Sequence, residues 1–460
     1  MSENKHNKRQ EIEHTNDMIG SISKLPDCIL HHILSFLPTI EVVQTSILSK
    51  RWKNLWASVP SLDLDDFIIY ASEVDFQHSP DSITSFLNFE ERILRSQDEP
   101  KIEKFILSCH ICFNPSRVGS WISNAVVHNV REVDLCLFSV DPSTIPPSIY
   151  DCKSLVILKI EMLRDIEIPS SIYLPCLKIL DLSLVAFPND ESTQNLFSSC
   201  PVLEELVLWN CAYGMNNLTI SSLSLKKLTI NDQMDYHRMH PNGCKIKIDA
   251  KNLTYLDYIG HLTNEIFLNN VSSLVKACIH IPILHQREKE LACRAVDLLK
   301  GLQNVVFLSV SNCTMMCLIY ADRMNPFPVF PNLIHLVVTT EIVNYTFRTF
   351  MYLLNFCPAL QFVSLSEGFN SCMLLDENDS SLLFVPICIS HHLKSLVFKN
   401  FHANDSEIWF LKFVLKNACV LEKMDVWWCK PEPPDPKKQR DVRKELEITE
   451  KSSAGCICWY

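Results

Sequence analysis

The chain has 460 residues, 47% hydrophobic and 21% charged, which is too apolar for disorder and long enough for two or three domains around a large core. Its formal net charge of −11 argues against a general nucleic-acid or acidic-membrane binder, because both need a basic surface to neutralise phosphates, and favours a protein partner. No apolar run approaches the ~20 residues needed to cross a bilayer, so a soluble protein is predicted.

Residues 1–20 are poor in apolar groups and mixed in charge, the composition of a disordered tail. The first folded unit spans 21–62. Within it LPDCILHHILSFLP, Leu25 to Pro38, reads as a helix that is apolar nearly all the way round. Leu30, Ile33, Leu34 and Leu37 form one stripe at i, i+3, i+4, i+7, and Ile29, Ile33 and Phe36 form a second beside it. A domain of about 40 residues cannot cover both, and such domains usually need a staple, a metal or a partner; a partner helix is the natural cover here. Trp52 and Trp56 recur at i, i+4 near Leu48 and Leu55, and large aromatics bury roughly 150 to 250 Å² each, so both are anchors for packing or docking. Trp52 is expected in the domain's own core.

These residues resemble an F-box in order: LPD at Leu25 to Asp27, the helix ILHHILSFLP at Ile29 to Pro38, the run VVQTSILSKRW at Val42 to Trp52, and the closing NLW at Asn54 to Trp56. The resemblance implies a three-helix domain that docks on a Skp-type adaptor and, through it, on a cullin in an SCF ubiquitin ligase. The adaptor-binding residues so implied are Leu25, Pro26, Ile29, Leu30, Ile33, Leu34, Leu37, Pro38, Val43, Leu48, Trp52, Leu55 and Trp56. Of these, Leu25, Pro26 and Leu30 are expected to touch the adaptor directly. Cys28 stands where relatives commonly carry an acidic residue, but Asp27 still supplies negative charge at the helix start.

Residues 63–100 read as a linker and a first helical segment. From 101 to 386 one pattern dominates, L-x-x-L-x-L. Counting onward into the last segment, its thirteen frames begin at Ile102, Val130, Leu155, Leu177, Leu203, Leu225, Leu253, Leu274, Val305, Leu333, Leu360, Leu393 and Leu421. They span 319 residues in twelve intervals, close to 27 each. That period lies in the range of leucine-rich repeats, each contributing one strand and a return segment to a curved stack. The second and third apolar positions are two apart, so they share the core face while the residue between them faces out; Leu206 and Leu208 go in and Val207 goes out. The frames LEELVLWNC and VVFLSVSNC extend to Cys211 and Cys313, expected to satisfy backbone amides of the turn. Amphipathic returns such as STQNLFSSCPVLEEL read as helices stopped by a Cys-Pro pair. Outward strand residues Glu205, Lys227, Tyr255 and His335 are the candidate target contacts.

The segment 387–460 carries HLKSLVFKNF, a helix-like EIWFLKFVLKNACVLEKM, and a final KEL…SSAGCICWY. It resembles the FBD segment of plant F-box/leucine-rich-repeat proteins, and would cap the open end of the stack. A basic cluster, Lys437, Lys438, Arg440, Arg443 and Lys444, follows PEPPDP and reads as a solvated linker face more readily than as a nuclear-import signal.

Catalytic and metal signatures are missing from the sequence. Eight glycines leave no G-x-G-x-x-G and no P-loop, and there is no G-x-S-x-G elbow. Cys109 and Cys112 make one C-x-x-C, and Cys456 and Cys458 one C-x-C, without the second pair that tetrahedral zinc requires. The adjacent His31-His32 and His391-His392 point apart in any regular element. Most of the twenty cysteines sit singly in apolar segments with no signal peptide ahead of them, as expected of buried free thiols in a reducing compartment. The triplets at Asn217, Asn252 and Asn344 are then chance N-x-S/T matches rather than glycosylation sites.

Taken together the sequence predicts an α/β chain: an N-terminal three-helix F-box, an irregular leucine-rich-repeat solenoid and an FBD-like C-terminal cap. It implies a non-catalytic, intracellular, soluble subunit of the nucleus or cytoplasm. Its partners would be a Skp-type adaptor, a cullin reached through it and a target protein, with no cofactor, metal, nucleic acid or membrane. The alternatives are a receptor for a small molecule seated in the repeat arc, for which a deep pocket lined by several Arg or Lys would speak, and an F-box protein acting outside a ligase.

Overall fold

A computed structural model of the chain describes residues 22, 24–65, 102–110, 115–138, 144–233, 243–282, 288–315, 317, 327–339, 347–366, 384–430 and 433–460. The tail 1–20, most of the segment 63–100, Cys112 and Asn344 lie outside the described residues. The chain divides into two compact units, Met1–Val185 and Ala186–Tyr460.

In the first unit, helix α1 (Asp27–Leu34) starts directly after Pro26 and α2 (Thr39–Gln44) directly after Pro38. Proline suits both positions, since a helix's first N–H groups have no intrahelical acceptor to lose. The chain then tightens into two 3-10 segments, Thr45–Ile47 and Trp52–Ser58. Among the described residues from Lys24 onward, the domain thus contributes two short α-helices and two 3-10 segments. The Thr45 hydroxyl donates back to the Val42 carbonyl at 2.6 Å, one of the local bonds that end α2.

Five parallel strands follow in sheet order: β1 (Ser61–Asp65), β2 (Lys104–Cys109), β3 (Glu132–Leu137), β4 (Ile157–Glu161) and β5 (Ile179–Ser183). Helix α3 (Pro115–Val127) joins β2 to β3, and a 3-10 turn, Pro147–Asp151, precedes β4. Pairing is in register throughout, with Phe105 opposite Leu62 and Val133, and Leu158 opposite Leu180.

The second unit carries ten more parallel strands. These are β7 (Glu205–Trp209), β10 (Lys227–Asp232), β12 (Tyr255–Gly260), β14 (Lys276–His280), β15 (Phe307–Ser311), β16 (His335–Thr339), β17 (Phe362–Leu365), β18 (Ser395–Phe401), β19 (Lys423–Trp428) and β20 (Cys456–Trp459), in that sheet order. The return segments are of two kinds. Between β5 and β14 lie short strands: β6 (Ala186–Phe187) pairs with β8 (Ala212–Tyr213), and β9 (Asn217–Ser221), β11 (Lys245–Asp249) and β13 (Glu265–Asn269) form a second parallel sheet. Helix α4 (Asp190–Ser198) shares the return before β7 with β6, and helices serve the later returns: α5 (Glu288–Lys300), α6 (Phe347–Leu354), α7 (Ile387–His391), α8 (Asp405–Asn417) and α9 (Pro436–Glu447). The expectation of helical returns thus holds only for part of the chain. NLTIS, KIKID and EIFLN alternate polar and apolar with period two, which suits a strand, not a helix.

All thirteen repeat frames coincide with strands, and every strand opens two residues after its frame begins, from Ile102 with β2 at Lys104 to Leu421 with β19 at Lys423. Leu206, Leu228, Leu256 and Ala277 are register partners buried beneath one face, as are Leu208, Ile230, Tyr258 and Ile279. Two further strands obey the same rule outside the expected span: β1 follows Val59 in VPSLDL, and β20 follows Ala454 in AGCICW. The C-terminal segment accordingly continues the ladder through β18, β19 and β20. Gly455 fits there because a Cβ would come 2.5 Å from the Leu421 carbonyl oxygen.

Several turn amides after the strands are met by side-chain oxygens. Asn210, in the left-handed region at φ 49°, accepts from Gln233 N–H at 3.1 Å, and Asn264 Oδ1 accepts from Cys244 N–H at 2.7 Å. Ser311 and Thr314 hydroxyls accept from Ile281 N–H at 3.1 and 3.0 Å. Carbonyl and hydroxyl oxygens are stronger acceptors than sulfur, so these residues suit the role well. The Cys-Pro pairs do end helices: the Cys200 thiol donates to the Leu196 carbonyl at 3.3 Å and Cys357 to Leu353 at 3.5 Å. All eighteen described cysteines are free.

Candidate functional site

Leu30, Leu34, Val42, Trp52, Leu55 and Val59 form the core of the N-terminal domain, with Leu25 and Trp56 packed against its edge. The entry turn is fixed from the far end of the domain: Arg51 Nη2 donates to the Leu25 carbonyl at 2.6 Å and pairs with the Asp27 carboxylate. Asp27 also places negative charge in the first turn of α1, where the helix dipole favours it. Trp56 Nε1 finds an acceptor in the Lys53 carbonyl at 3.1 Å.

The thirteen residues assigned to adaptor binding therefore separate. Pro26, Ile29, Ile33, Leu37 and Leu48 are exposed; Leu25, Pro38, Val43 and Trp56 are half-buried; Leu30, Leu34, Trp52 and Leu55 are buried. Leu30 was expected to contact the adaptor, but it is 0% exposed and its side chain has no surface to offer. It belongs to the inward stripe with Leu34, one turn away on the same helix face. The outward stripe is completed by Phe36, 73% exposed, and Ile47, 86% exposed. Ile47 was not singled out from the sequence, although the adjacent pair Ile47-Leu48 could not both turn inward from a single 3-10 turn. Exposed apolar side chains on α1, on the turn after it and on the first 3-10 segment therefore remain open after the domain core is complete.

A second surface lies on the outward side of the strands in the second unit. The four candidate target contacts, Glu205, Lys227, Tyr255 and His335, occupy the same position of their strands, and register joins them into one row with Lys276, Phe307 and Phe362. Glu205 and Lys227 form an ion pair at 2.6 Å, and the Lys227 ammonium lies 5.9 Å from the Tyr255 ring centroid. Phe307 and His335 are 6.2 Å apart, and His335 stacks on Phe362 at 4.4 Å with an interplanar angle of 8°. Burial lowers the His335 pKa, which favours the neutral ring as an aromatic platform near neutral pH.

In the C-terminal segment the basic cluster is helical, not a loop. Val442 and Leu446 of α9 are buried, and the Arg443 guanidinium lies 5.9 and 5.4 Å from the rings of Trp428 and Trp459, themselves stacked at 5.1 Å. Among the described residues no group of three or more His, Cys, Asp or Glu could hold a metal ion. No described helix is long and apolar enough to cross a membrane. One open pocket of about 610 Å³ lies beside α3, lined by Ser116, Gly119, Asn124, Thr144 and other residues, none of them Arg or Lys.

Comparison with known proteins places three family profiles on the chain: an F-box domain over 22–64, the leucine-rich repeats of an FBD-associated F-box protein, At5g56370, over 118–272, and FBD over 381–426. FBD-associated F-box protein At1g66310 of Arabidopsis thaliana is 31% identical over 435 residues, covering 91% of this chain and 92% of its own. F-box/LRR-repeat protein 13 of the same plant is 30% identical over 426 residues, covering 89% of each, and F-box/LRR-repeat protein At3g59190 is 32% identical over 358 residues, 74% of this chain and 91% of its own. The chain belongs to the plant F-box/leucine-rich-repeat family with an FBD segment. Members of this F-box/leucine-rich-repeat family are generally non-catalytic adaptors, and an F-box implies binding to a Skp-type adaptor of SCF complexes. The F-box profile ends at residue 64, inside β1, which pairs with β2, so the F-box runs directly into the first strand of the ladder.

Proposed function

We propose that the chain is the substrate-recognition subunit of an SCF-type ubiquitin ligase. Its F-box would seat a Skp-type adaptor on Ile29, Ile33, Phe36, Leu37, Ile47 and Leu48, and the adaptor would join a cullin. The outward strand row containing Glu205, Lys227, Tyr255 and His335 would face the target protein, which other subunits ubiquitylate. The described free cysteines suit the reducing interior of nucleus or cytoplasm.

The observation that supports this best is the open apolar face on a domain whose core is already closed by Leu30, Leu34 and Trp52. Exposed apolar surface of that kind marks a protein contact in a chain otherwise rich in charge. The test is co-purification of the full chain with a Skp-type adaptor, comparing wild type with Ile33→Glu/Phe36→Glu. Both residues are exposed, so the variant should keep its thermal unfolding and lose the adaptor. An unchanged yield of complex from the folded variant would overturn the assignment of this face, and no complex from the wild type would overturn the ligase role.

A further inference from the structure

The outward row of the second unit also carries information about the chemistry of what it meets. Most of its counterparts elsewhere are neutralised: Lys227 pairs with Glu205, Lys104 with Glu132 at 2.9 Å and Lys423 with Asp425 at 2.8 Å. Lys276 is exposed and, among the described residues, makes no ion pair. Its Nζ lies instead between two rings, 5.2 Å from the centroid of Tyr255 and 4.7 Å from that of Phe307. The rings hold the ammonium by cation–π attraction and leave its N–H donors to solvent. One position deeper, Asp257 Oδ2 accepts from the Tyr255 hydroxyl at 3.1 Å, while Asp257 Oδ1 is shielded from solvent with no hydrogen-bond donor among the described residues. On the other side of Phe307 stands the stacked His335–Phe362 platform.

We propose that this row binds an extended segment of the target protein bearing a carboxylate side chain for Lys276 and an aromatic or aliphatic side chain for the His335–Phe362 platform. The proposal rests on the target-receptor function above and names the chemistry of its ligand. A carboxylate fits because Lys276 offers one uncompensated charge between apolar walls, where an ion pair gains strength as water leaves. A phosphate would bring a second negative charge next to Asp257. Three strand steps separate Lys276 from Phe362, about 14 Å at ~4.8 Å per step, which about four residues of extended chain would span. The expected motif is therefore an acidic residue with a large apolar one three or four positions away.

The test uses the full chain bound to the Skp-type adaptor, panned against a displayed library of random dodecapeptides. Enrichment of Asp or Glu spaced in this way from Phe, Tyr, Trp or Leu is expected. The best synthetic peptide should lose about tenfold or more in affinity on Lys276→Met, the size expected for losing a hydrogen bond to a charged group. Panning the Lys276→Glu variant should exchange the acidic residue for Lys or Arg, and Phe362→Ala should remove the apolar preference while sparing the acidic one. Peptides enriched without an acidic residue, the same motif enriched by Lys276→Glu, or no enrichment by wild type would each overturn the proposal. Because Lys276 and the F-box belong to different compact units of the chain, adaptor capture reports separately on the ligase role: losing the adaptor while the motif persists sinks only that role, and the reverse sinks only this one.

Discussion

Asn404 and Glu407 hold each other's backbone at the head of α8. The Asn404 side chain accepts from Glu407 N–H at 3.0 Å, and Glu407 Oε2 accepts from Asn404 N–H at 3.2 Å, closing a reciprocal capping box. The same Oε2 accepts from His402 N–H at 2.9 Å, so one fully buried carboxylate serves two amides of the turn that joins β18 to α8.

Glu407→Ala should therefore cost more than an ordinary cap, about 2 to 3 kcal/mol, since it removes a cap and leaves two amides without their acceptor. Chemical denaturation of the full chain monitored by tryptophan fluorescence would measure it. A loss below a few tenths of a kcal/mol would show that the box does not hold the turn.

The inward and outward sides of the N-terminal domain predict opposite behaviour. Trp52→Ala should destabilise the N-terminal domain by about 3 to 5 kcal/mol, the usual cost of emptying a large aromatic site in a core. Phe36→Ser should leave stability within about 0.5 kcal/mol while weakening adaptor capture, because an exposed side chain loses little on truncation. Equal thermal shifts for the two variants would contradict the division into an inward and an outward face.

Thiol reactivity should follow burial. Desolvation pushes the Cys200 and Cys388 thiols up to about 12 and raises that of Cys357, leaving no thiolate at neutral pH. Cys28, Cys176, Cys419 and Cys456 are exposed. Brief maleimide labelling of the native chain at pH 7.5, read by mass spectrometry, should modify the exposed set and spare Cys200, Cys357 and Cys388 until denaturant is added.

On the outward face of the first unit, burial and then the neighbouring Asp65 and Asp134 raise the Asp63 pKa above its ordinary 3.8, against the pull of Lys104. Burial, then Asp181 and Asp134, raise Glu161 above 4.5. The folded state then binds these protons more tightly than the unfolded one, so stability falls as pH rises from the ordinary values through the raised ones. Asp63→Asn/Glu161→Gln should raise the melting temperature at pH 7.5, with the gain shrinking as pH is lowered towards 4. A lower melting temperature at pH 7.5 would contradict this sign.

Period-two alternation made the parallel ladder legible in the sequence, since Leu206 and Leu208 flank an outward Val207 whatever the return segment does. The same property placed Glu205, Lys227, Tyr255 and His335 at one strand position, and register then aligned them. The terminal strands were hidden for physical reasons: the first apolar position before β1 is Val59, which also packs in the F-box core, and that before β20 is the small Ala454. Which stripe of α1 turns inward depended on the tertiary contact of Leu30 with Trp52, which helical spacing alone does not specify. The amide acceptors Asn210 and Ser311 escaped notice because their roles depend on neighbouring strands, Gln233 and Ile281 being the donors.

Val59 belongs at once to the F-box core and to the frame that launches β1, and the Asp63 N–H is bound to the Thr39 hydroxyl at 2.7 Å. The F-box and the first strand are thus spliced through shared packing. One residue inserted after Val59 would throw Leu62 and Leu64 to the wrong side of the sheet, so neither length nor angle at this joint can drift by small steps. An insertion at this joint would then be tolerated only in pairs, since two added residues restore the alternation that one destroys.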